Sequence, residues 1–254
     1  MRGAESVESG SHVCPRVVAA GRRSVELLGK EGVDAGRHCV APSQRTTTQG
    51  YIRMPVRTLE VWFDFASTYS YIAIDRLVHG GSFVGLSVAW RPFLLGPVFQ
   101  QLGWNDSPFN LQKAKGAYMW RDLERECARF GIPFRRPSQF PRNGLLAART
   151  TLAGGSAAWV EPFIAGAFRA NFAADRDIAD PAVIAELLQV AGCTDATQVL
   201  ATANSPGVKL RLREQTSEAV AHGIFGAPTL RVATEFFWGS DRLEQAIALA
   251  RAGG

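Results

Sequence analysis

From Thr58 to Phe65 apolar and polar side chains alternate, and the stretch is rich in β-branched and aromatic residues. That period and composition predict a strand. Two residues on, Ser67 stands where a helix N-cap belongs, and Tyr71, Ile74 and Leu77 then recur at helical spacing. The unit is strand, tight turn and helix, with a hydroxyl at a helix N-terminus, where free backbone N–H groups and the macrodipole favour an anion. Gly80-Gly81 breaks the helix, and Leu86 to Trp90 reads as a second strand. A short strand–helix–strand unit makes a right-handed crossover with parallel strands. Pro92, Gly96 and Pro97 end it.

The period then changes to helical for a long interval. Trp120, Leu123, Cys127 and Phe130 mark one helix face, closed by Gly131-Ile132-Pro133. Leu145 to Leu152 predicts a short helix, Trp159, Phe163, Ala167 and Phe172 another, and Asp180-Pro181 opens a third with Ile184, Leu187 and Leu188. Ser205-Pro206 starts the last of the block, which stops at Gly223. Strands return at Thr229–Val232 and Glu235–Trp238, separated by Ala233-Thr234, a hairpin spacing without the usual Gly or Asn. A helix with Leu243, Ile247 and Ala250 closes the chain. The order β-α-β, helical block, β-β-α predicts an α/β fold: a thioredoxin-like βαβ–ββα sheet with an inserted all-helical domain. Residues 54–93 and 224–254 form the discontinuous sheet domain, and 94–223 form the insert.

Residues 1–53 lack sustained periodicity, and their apolar stretches, Val17–Ala20 and Val25–Leu28, are too short to form a core. They are expected to be a disordered N-terminal extension, with Met54-Pro55-Val56 just before the first strand. The segment has no compact apolar core of a secretory signal, and its scattered acids argue against a transit peptide.

Composition narrows the function classes. The 254 residues are 46% hydrophobic and 20% charged, an ordinary globular balance. No apolar run reaches the length of a membrane span, so no membrane association is expected and a cytoplasmic location is. The net charge of +5 is uneven: residues 1–53 carry eight Lys/Arg against five Asp/Glu. The rest is close to neutral, which argues against a nucleic-acid partner. The four cysteines form no Cys-x-x-Cys and no metal-spaced cluster with histidine, so no metal is expected. Cys127 falls on an apolar helix stripe, the usual place of a buried free thiol.

Three motifs carry a resemblance. Ser67-Thr68-Tyr69-Ser70 occupies the place where thioredoxin-like proteins keep their redox Cys-x-x-Cys. Ile224-Phe225-Gly226-Ala227-Pro228-Thr229 has the position of that fold's cis-proline, and Phe237-Trp238-Gly239-Ser240-Asp241-Arg242-Leu243 leads into the final helix. Each alone reads as ordinary structure: a cap, a turn before a strand, a capping box. Together and in this order they resemble the 2-hydroxychromene-2-carboxylate isomerase family and its relatives, the kappa-class glutathione transferases. Arg91-Pro92-Phe93-Leu94-Leu95-Gly96, Lys115 to Asp122 and Phe140-Pro141-Arg142-Asn143 extend the resemblance, which covers about Leu59 to Ala250. Thr68 stands where many relatives have proline, and Trp104-Asn105 where they often place Asn directly after Gly.

The resemblance implies glutathione as cofactor and a homodimer. The tripeptide's cysteinyl backbone would pair with Ala227, exposed by a cis Ala227–Pro228 bond. Ser240 and the helix start would take the γ-glutamyl carboxylate, and Asp241 its ammonium. Thr68, Tyr69 and Asn105, or Trp104 in place of Asn105, would complete the cofactor site. The catalytic residue would be Ser67, donating a hydrogen bond to the thiolate rather than attacking itself. The implied substrate is a small aromatic carboxylate, 2-hydroxychromene-2-carboxylate, isomerised to trans-o-hydroxybenzylidenepyruvate in naphthalene-type catabolism. Arg91, Tyr118, Arg142 and Asn143 are the candidates to hold it. Three readings stay open: an isomerase, a kappa-like transferase that releases the adduct, and a non-enzymatic glutathione-binding protein.

Overall fold

The computed structural model describes residues 57–81 and 85–252, so the expectation for residues 1–53 lies outside the described residues. Four strands form one mixed sheet in the order β2-β1-β3-β4. β1 (Thr58–Phe63) runs parallel to β2 (Ser87–Pro92), with Val61 opposite Trp90. On its other side β1 is antiparallel to β3 (Thr229–Val232), which makes a hairpin with β4 (Glu235–Trp238) through Ala233-Thr234. Ala233 takes the left-handed conformation, φ 54°, that the two-residue turn requires.

Alternation along β1 sends its side chains to two different cores. Leu59, Val61 and Phe63 face α1 (Thr68–His79), which lies between the sheet and α6 (Val160–Phe172). Aromatic rings bridge these layers: Phe65 stacks on Phe168 at 4.9 Å and Tyr71 on Phe172 at 5.4 Å. Trp62 points the other way, into a smaller cluster with Phe93, Val98, Ala219 and Ile224. The sheet and the helices between β2 and β3 thus pack together on both faces, through the larger cluster on one side and the smaller on the other.

Those helices are α2 (Leu95–Gln101), α3 (Pro108–Leu111), α4 (Lys113–Phe130), α5 (Leu145–Gly154), α6, α7 (Pro181–Val190), α8 (Ala196–Ala203) and α9 (Pro206–Ala221). The stripe Trp120, Leu123, Cys127 is buried on α4, as its spacing predicts. α2, α3 and α8 go beyond the sequence reading. α8 buries only Ala196 and Ala203, too little apolar surface to stand out as a stripe, and is opened by the Asp195 side chain accepting from the Gln198 amide. α10 (Leu243–Ala252) follows a 3-10 turn at Ser240–Arg242 and packs on β1, β3 and β4.

The strand signal ran to Phe65, but β1 ends at Phe63, because the Asp64 carboxylate takes over the next backbone donors. Its Oδ1 accepts from the Ala66 amide at 2.8 Å, an Asx turn that redirects the chain into α1. At the other end of the sheet edge, β2 runs two residues beyond the predicted Trp90 and closes on Pro92. Proline is tolerated there because β2 is an edge strand.

Candidate functional site

Ser67 sits between β1 and α1 with extended dihedrals, φ −79° and ψ 120°, and caps α1 by accepting from the Ser70 amide at 3.2 Å. A hydroxyl has one proton, and this one is donated 2.8 Å across the sheet ends to the Ala227 carbonyl. Ser67 thus ties the start of α1 to the loop before β3. In that loop the Ala227–Pro228 bond is cis, as is Phe140–Pro141.

A third loop packs beside the second. The Gly239 amide donates to the Pro228 carbonyl at 2.9 Å, and Gly239 has φ 108°, a conformation side chains rarely adopt. A Cβ at this position would also collide with the Asp241 carboxylate. Glycine here therefore sets how close Ser240-Asp241 comes to the cis loop. Ser240 is buried, and its carbonyl accepts from Arg76 Nη1 at 2.9 Å, while Arg76 also pairs with Glu244.

The facing wall is a stripe of α4. Lys115, Tyr118, Met119, Asp122 and Glu126 line one cavity at helical spacing. Thr68 Oγ1 approaches Met119 Sδ at 3.3 Å, and the Tyr69 hydroxyl donates to Asp122 Oδ2 at 2.9 Å. Burial and the Asp122 carboxylate both raise the Tyr69 phenol pKa, so it stays a neutral donor. The loop Phe140–Leu145 and the start of α2 close the remaining sides. The cavity, open on one side, has a volume of about 1120 Å³, above the ~300–1,000 Å³ usual for small-molecule sites, so it has room for two ligands side by side.

Of the residues expected from the sequence, Ser67, Thr68, Tyr69, Asn105, Ala227, Ser240 and Asp241 all line this cavity, as do Tyr118, Arg142 and Asn143. Trp104 and Asn105 line it together. Pro228 does not; it is buried beside Ala227. Arg91 must be corrected. It lies on the opposite side of the sheet, its Nη2 3.3 Å from Glu60 Oε1 and its guanidinium over Trp62. Pairing across from Trp62 gives Arg91 the face turned away from α1.

Arg142 needs a second correction, because its guanidinium is not available to a ligand. The side chain is 4% exposed and ion-paired to Asp175. It also donates to the Arg176 carbonyl at 2.9 Å, Asn171 Oδ1 at 3.3 Å and Ser138 Oγ at 3.1 Å. With the Ser138 amide and Arg142 both donating to it, Asp175 is held down to about 2. This network fixes the 138–144 loop against the end of α6. Asn171 in turn donates to the Phe65 carbonyl at 3.1 Å, and Gly144 lies so close to Phe65 that a Cβ would fall 2.7 Å from the Phe65 Cβ. Arg142 thereby supports the turn that carries Ser67. Asn143 is exposed, with its Oδ1 accepting from the Leu145 amide.

Asp64 is the site residue the sequence reading missed. It is buried at the cavity floor, with Oδ1 on the Ala66 amide and Oδ2 on the Leu95 amide at 2.7 Å. Burial raises its pKa, opposed by those two amides. It joins the Ser67 turn to the start of α2. An acid three residues before Ser67 at a strand end is an Asx-turn signal that could have revealed it. Lys115 and Asp122 entered the sequence reading only inside the stretch that extends the resemblance, without a role, and Glu126 not at all; polar residues at helical spacing are indistinguishable from a solvated face.

The cavity is acidic. Asp64, Asp106, Asp122, Glu126 and Asp241 face Lys115, Arg142 and Arg242. Arg142 is held by Asp175, and Arg242 by Asp241 at 3.1 Å. Lys115, 5.8 Å above the Phe109 ring, is the lining cation without an acidic partner among the described residues.

Comparison with known proteins agrees with this architecture. The chain is 28% identical over 189 residues to the 2-hydroxychromene-2-carboxylate isomerase of Sphingobium xenophagum, covering 74% of this chain and 95% of that protein. It is 28% identical over 202 residues to the human glutathione S-transferase kappa 1, covering 74% and 88%. A solved 2-hydroxychromene-2-carboxylate isomerase superposes with a TM-score of 0.67 at 26% identity, over 76% of this chain and 93% of that one. The relatives support an enzyme, and the model of one family matches residues 58–248. On that match the chain belongs to the DSBA-like thioredoxin domain family.

Proposed function

We propose that this protein is a glutathione-dependent enzyme that adds the glutathione thiolate to an electrophilic carbon of a small aromatic compound. The observation that carries it is the Ser67 hydroxyl, which reaches from the start of α1 to the Ala227 carbonyl on a cavity that also takes in Ser240-Asp241. In thioredoxin-type exchange a cysteine at this turn forms a mixed disulfide. Serine occupies positions 67 and 70 here, so the turn lacks that chemistry and keeps hydrogen bonding.

The proposed sequence of events is an exchange of partners. Glutathione enters extended along the loop before β3, and its cysteinyl N–H takes the Ala227 carbonyl from Ser67. The freed hydroxyl turns to the thiol. The first-turn amides of Thr68 and Tyr69 have no intrahelical acceptor and favour an anion at the start of α1. A free thiol has a pKa of about 8.5, and these donors stabilise the thiolate. Ser240 and the start of α10 receive the γ-glutamyl carboxylate, and Asp241 the ammonium. On a conjugated carbonyl compound, the sulfur pair forms the C–S bond. The alkene π pair becomes the new C=C bond to the carbonyl carbon and the C=O π pair moves onto oxygen, giving an enolate that takes from water the proton the thiol gave up to it.

If rotation and elimination follow, glutathione is regenerated and the net reaction is an isomerisation, as for 2-hydroxychromene-2-carboxylate. If the adduct leaves, the reaction is a transfer. The isomerase reading asks the site for a cation to hold the substrate carboxylate. The commitments of Arg91 to Glu60 and of Arg142 to Asp175 favour the transfer reading. Purified protein assayed with glutathione and either 2-hydroxychromene-2-carboxylate or chlorodinitrobenzene distinguishes them, by isomer with recovered glutathione or by adduct. Failure to bind glutathione in a calorimetric titration refutes the proposal, and binding without either turnover leaves a binding protein.

A further inference from the structure

We infer that the compound taken beside glutathione is an uncharged aromatic electrophile, and that the cavity discriminates against a carboxylate on it. The inference rests on the reading that the site holds glutathione and follows from how the cavity's charges are distributed. Along the α4 stripe the charge changes sign, with Lys115 at one end and Asp122 and Glu126 at the other. Seven residues separate Lys115 from Asp122, about 10 Å of helix rise. The acidic end is the one beside the reactive turn, because Tyr69, in the first turn of α1, donates to Asp122. That bond occupies Oδ2 of Asp122, a residue of the cavity lining. Glu126 has Arg129 at 3.5 Å as its neighbour on the same helix.

Glutathione brings two carboxylates and one ammonium. The start of α10 serves one carboxylate, Asp241 the ammonium, and Lys115 is the cation left for the second carboxylate. A third carboxylate, on the other reactant, would find Arg142 sealed against Asp175, and Arg242 half-exposed beside Asp241 at the γ-glutamyl end of the site. It would have to lose water without gaining a counter-ion, while Asp122, which has no cationic partner among the described residues, repelled it. An uncharged ring meets Met119, Phe140 and Leu145 instead, and a hydroxyl or N–H on it meets Asp122.

The experiment compares two non-reactive ligands of the same frame, 4-phenyl-2-butanone and 2-oxo-4-phenylbutanoate, in which a carboxylate replaces a methyl group. Full-length protein is first titrated with glutathione by calorimetry, then saturated with it and titrated with each probe, following the fluorescence of Trp104 and Trp238 on the cavity wall. The ketone is expected to bind about tenfold tighter or more. Asp122→Asn is expected to narrow that ratio about threefold or more by removing one repelling charge, and Lys115→Met to weaken glutathione while keeping the preference. Equal or tighter binding of the keto acid overturns the inference, and so does binding of neither probe to the glutathione-loaded protein. If glutathione itself does not bind, the failure belongs to the proposed function instead.

Discussion

Replacing Ser67 with alanine separates its structural role from its chemical one. The hydroxyl makes two bonds, accepting from the Ser70 amide and donating to Ala227. Losing an N-cap costs about 1 kcal/mol, and losing the bond to Ala227 adds about 0.5–1.5 kcal/mol. At about 2–4 °C per kcal/mol for a chain of this size, the melting temperature should fall by roughly 3–10 °C and the protein should stay folded. Glutathione should still bind, because the Ala227 and Ser240-Asp241 side of the site is intact. The chemical effect is larger. A hydrogen bond to a charged group is worth about 1.5–3 kcal/mol, so its loss should raise the bound thiol pKa by about 1–2 units. Below that pKa the thiolate fraction, and turnover with it, should drop about 10- to 100-fold. The assay follows thiolate ultraviolet absorbance of the glutathione complex against pH, alongside turnover at neutral pH. If both are unchanged while the melting temperature falls, Ser67 is a helix cap and the mechanism is wrong.

Three further outcomes are expected. Gly239→Ala should lower stability by about 1–3 kcal/mol, since it forces a side chain into φ 108°. It should also weaken glutathione by displacing Asp241; an unchanged dissociation constant would remove Asp241 from the site. Asp64→Ala should destabilise by about 1–3 kcal/mol for each of the two amides it orphans, measured by denaturant unfolding. A change below that range would mean the amides find water. The Asp175 carboxylate, depressed from 3.8 to about 2, contributes stability that is fully present above its unfolded value and lost as pH falls through the folded one. Acid unfolding curves of wild type should therefore lose a component below about pH 4 that Asp175→Asn lacks, and superimposable curves would contradict this.

The order of elements was legible from local signals. Period-2 alternation at Thr58–Phe63 and Thr229–Val232, helical spacing from Tyr71 to Leu77, and caps at Ser67, Asp180 and Ser205 all work over a few residues, so they survive in the sequence. So did the three motifs that converge on the cavity, because each is a turn whose geometry its own residues set. What the sequence could not determine was the employment of the long charged side chains. Arg91 and Arg142 looked alike as candidate anion holders, yet Glu60, 31 positions from Arg91, and Asp175, 33 positions from Arg142, claim them. The same holds for Asp64, whose second oxygen waits on Leu95, and for the α4 stripe, which is a cavity wall only because α1 and the 140–145 loop stand opposite it. A cap or an alternating strand is decided by neighbours along the chain. An arginine reaches several ångströms in any direction, and only the folded chain decides which carboxylate lies within that reach.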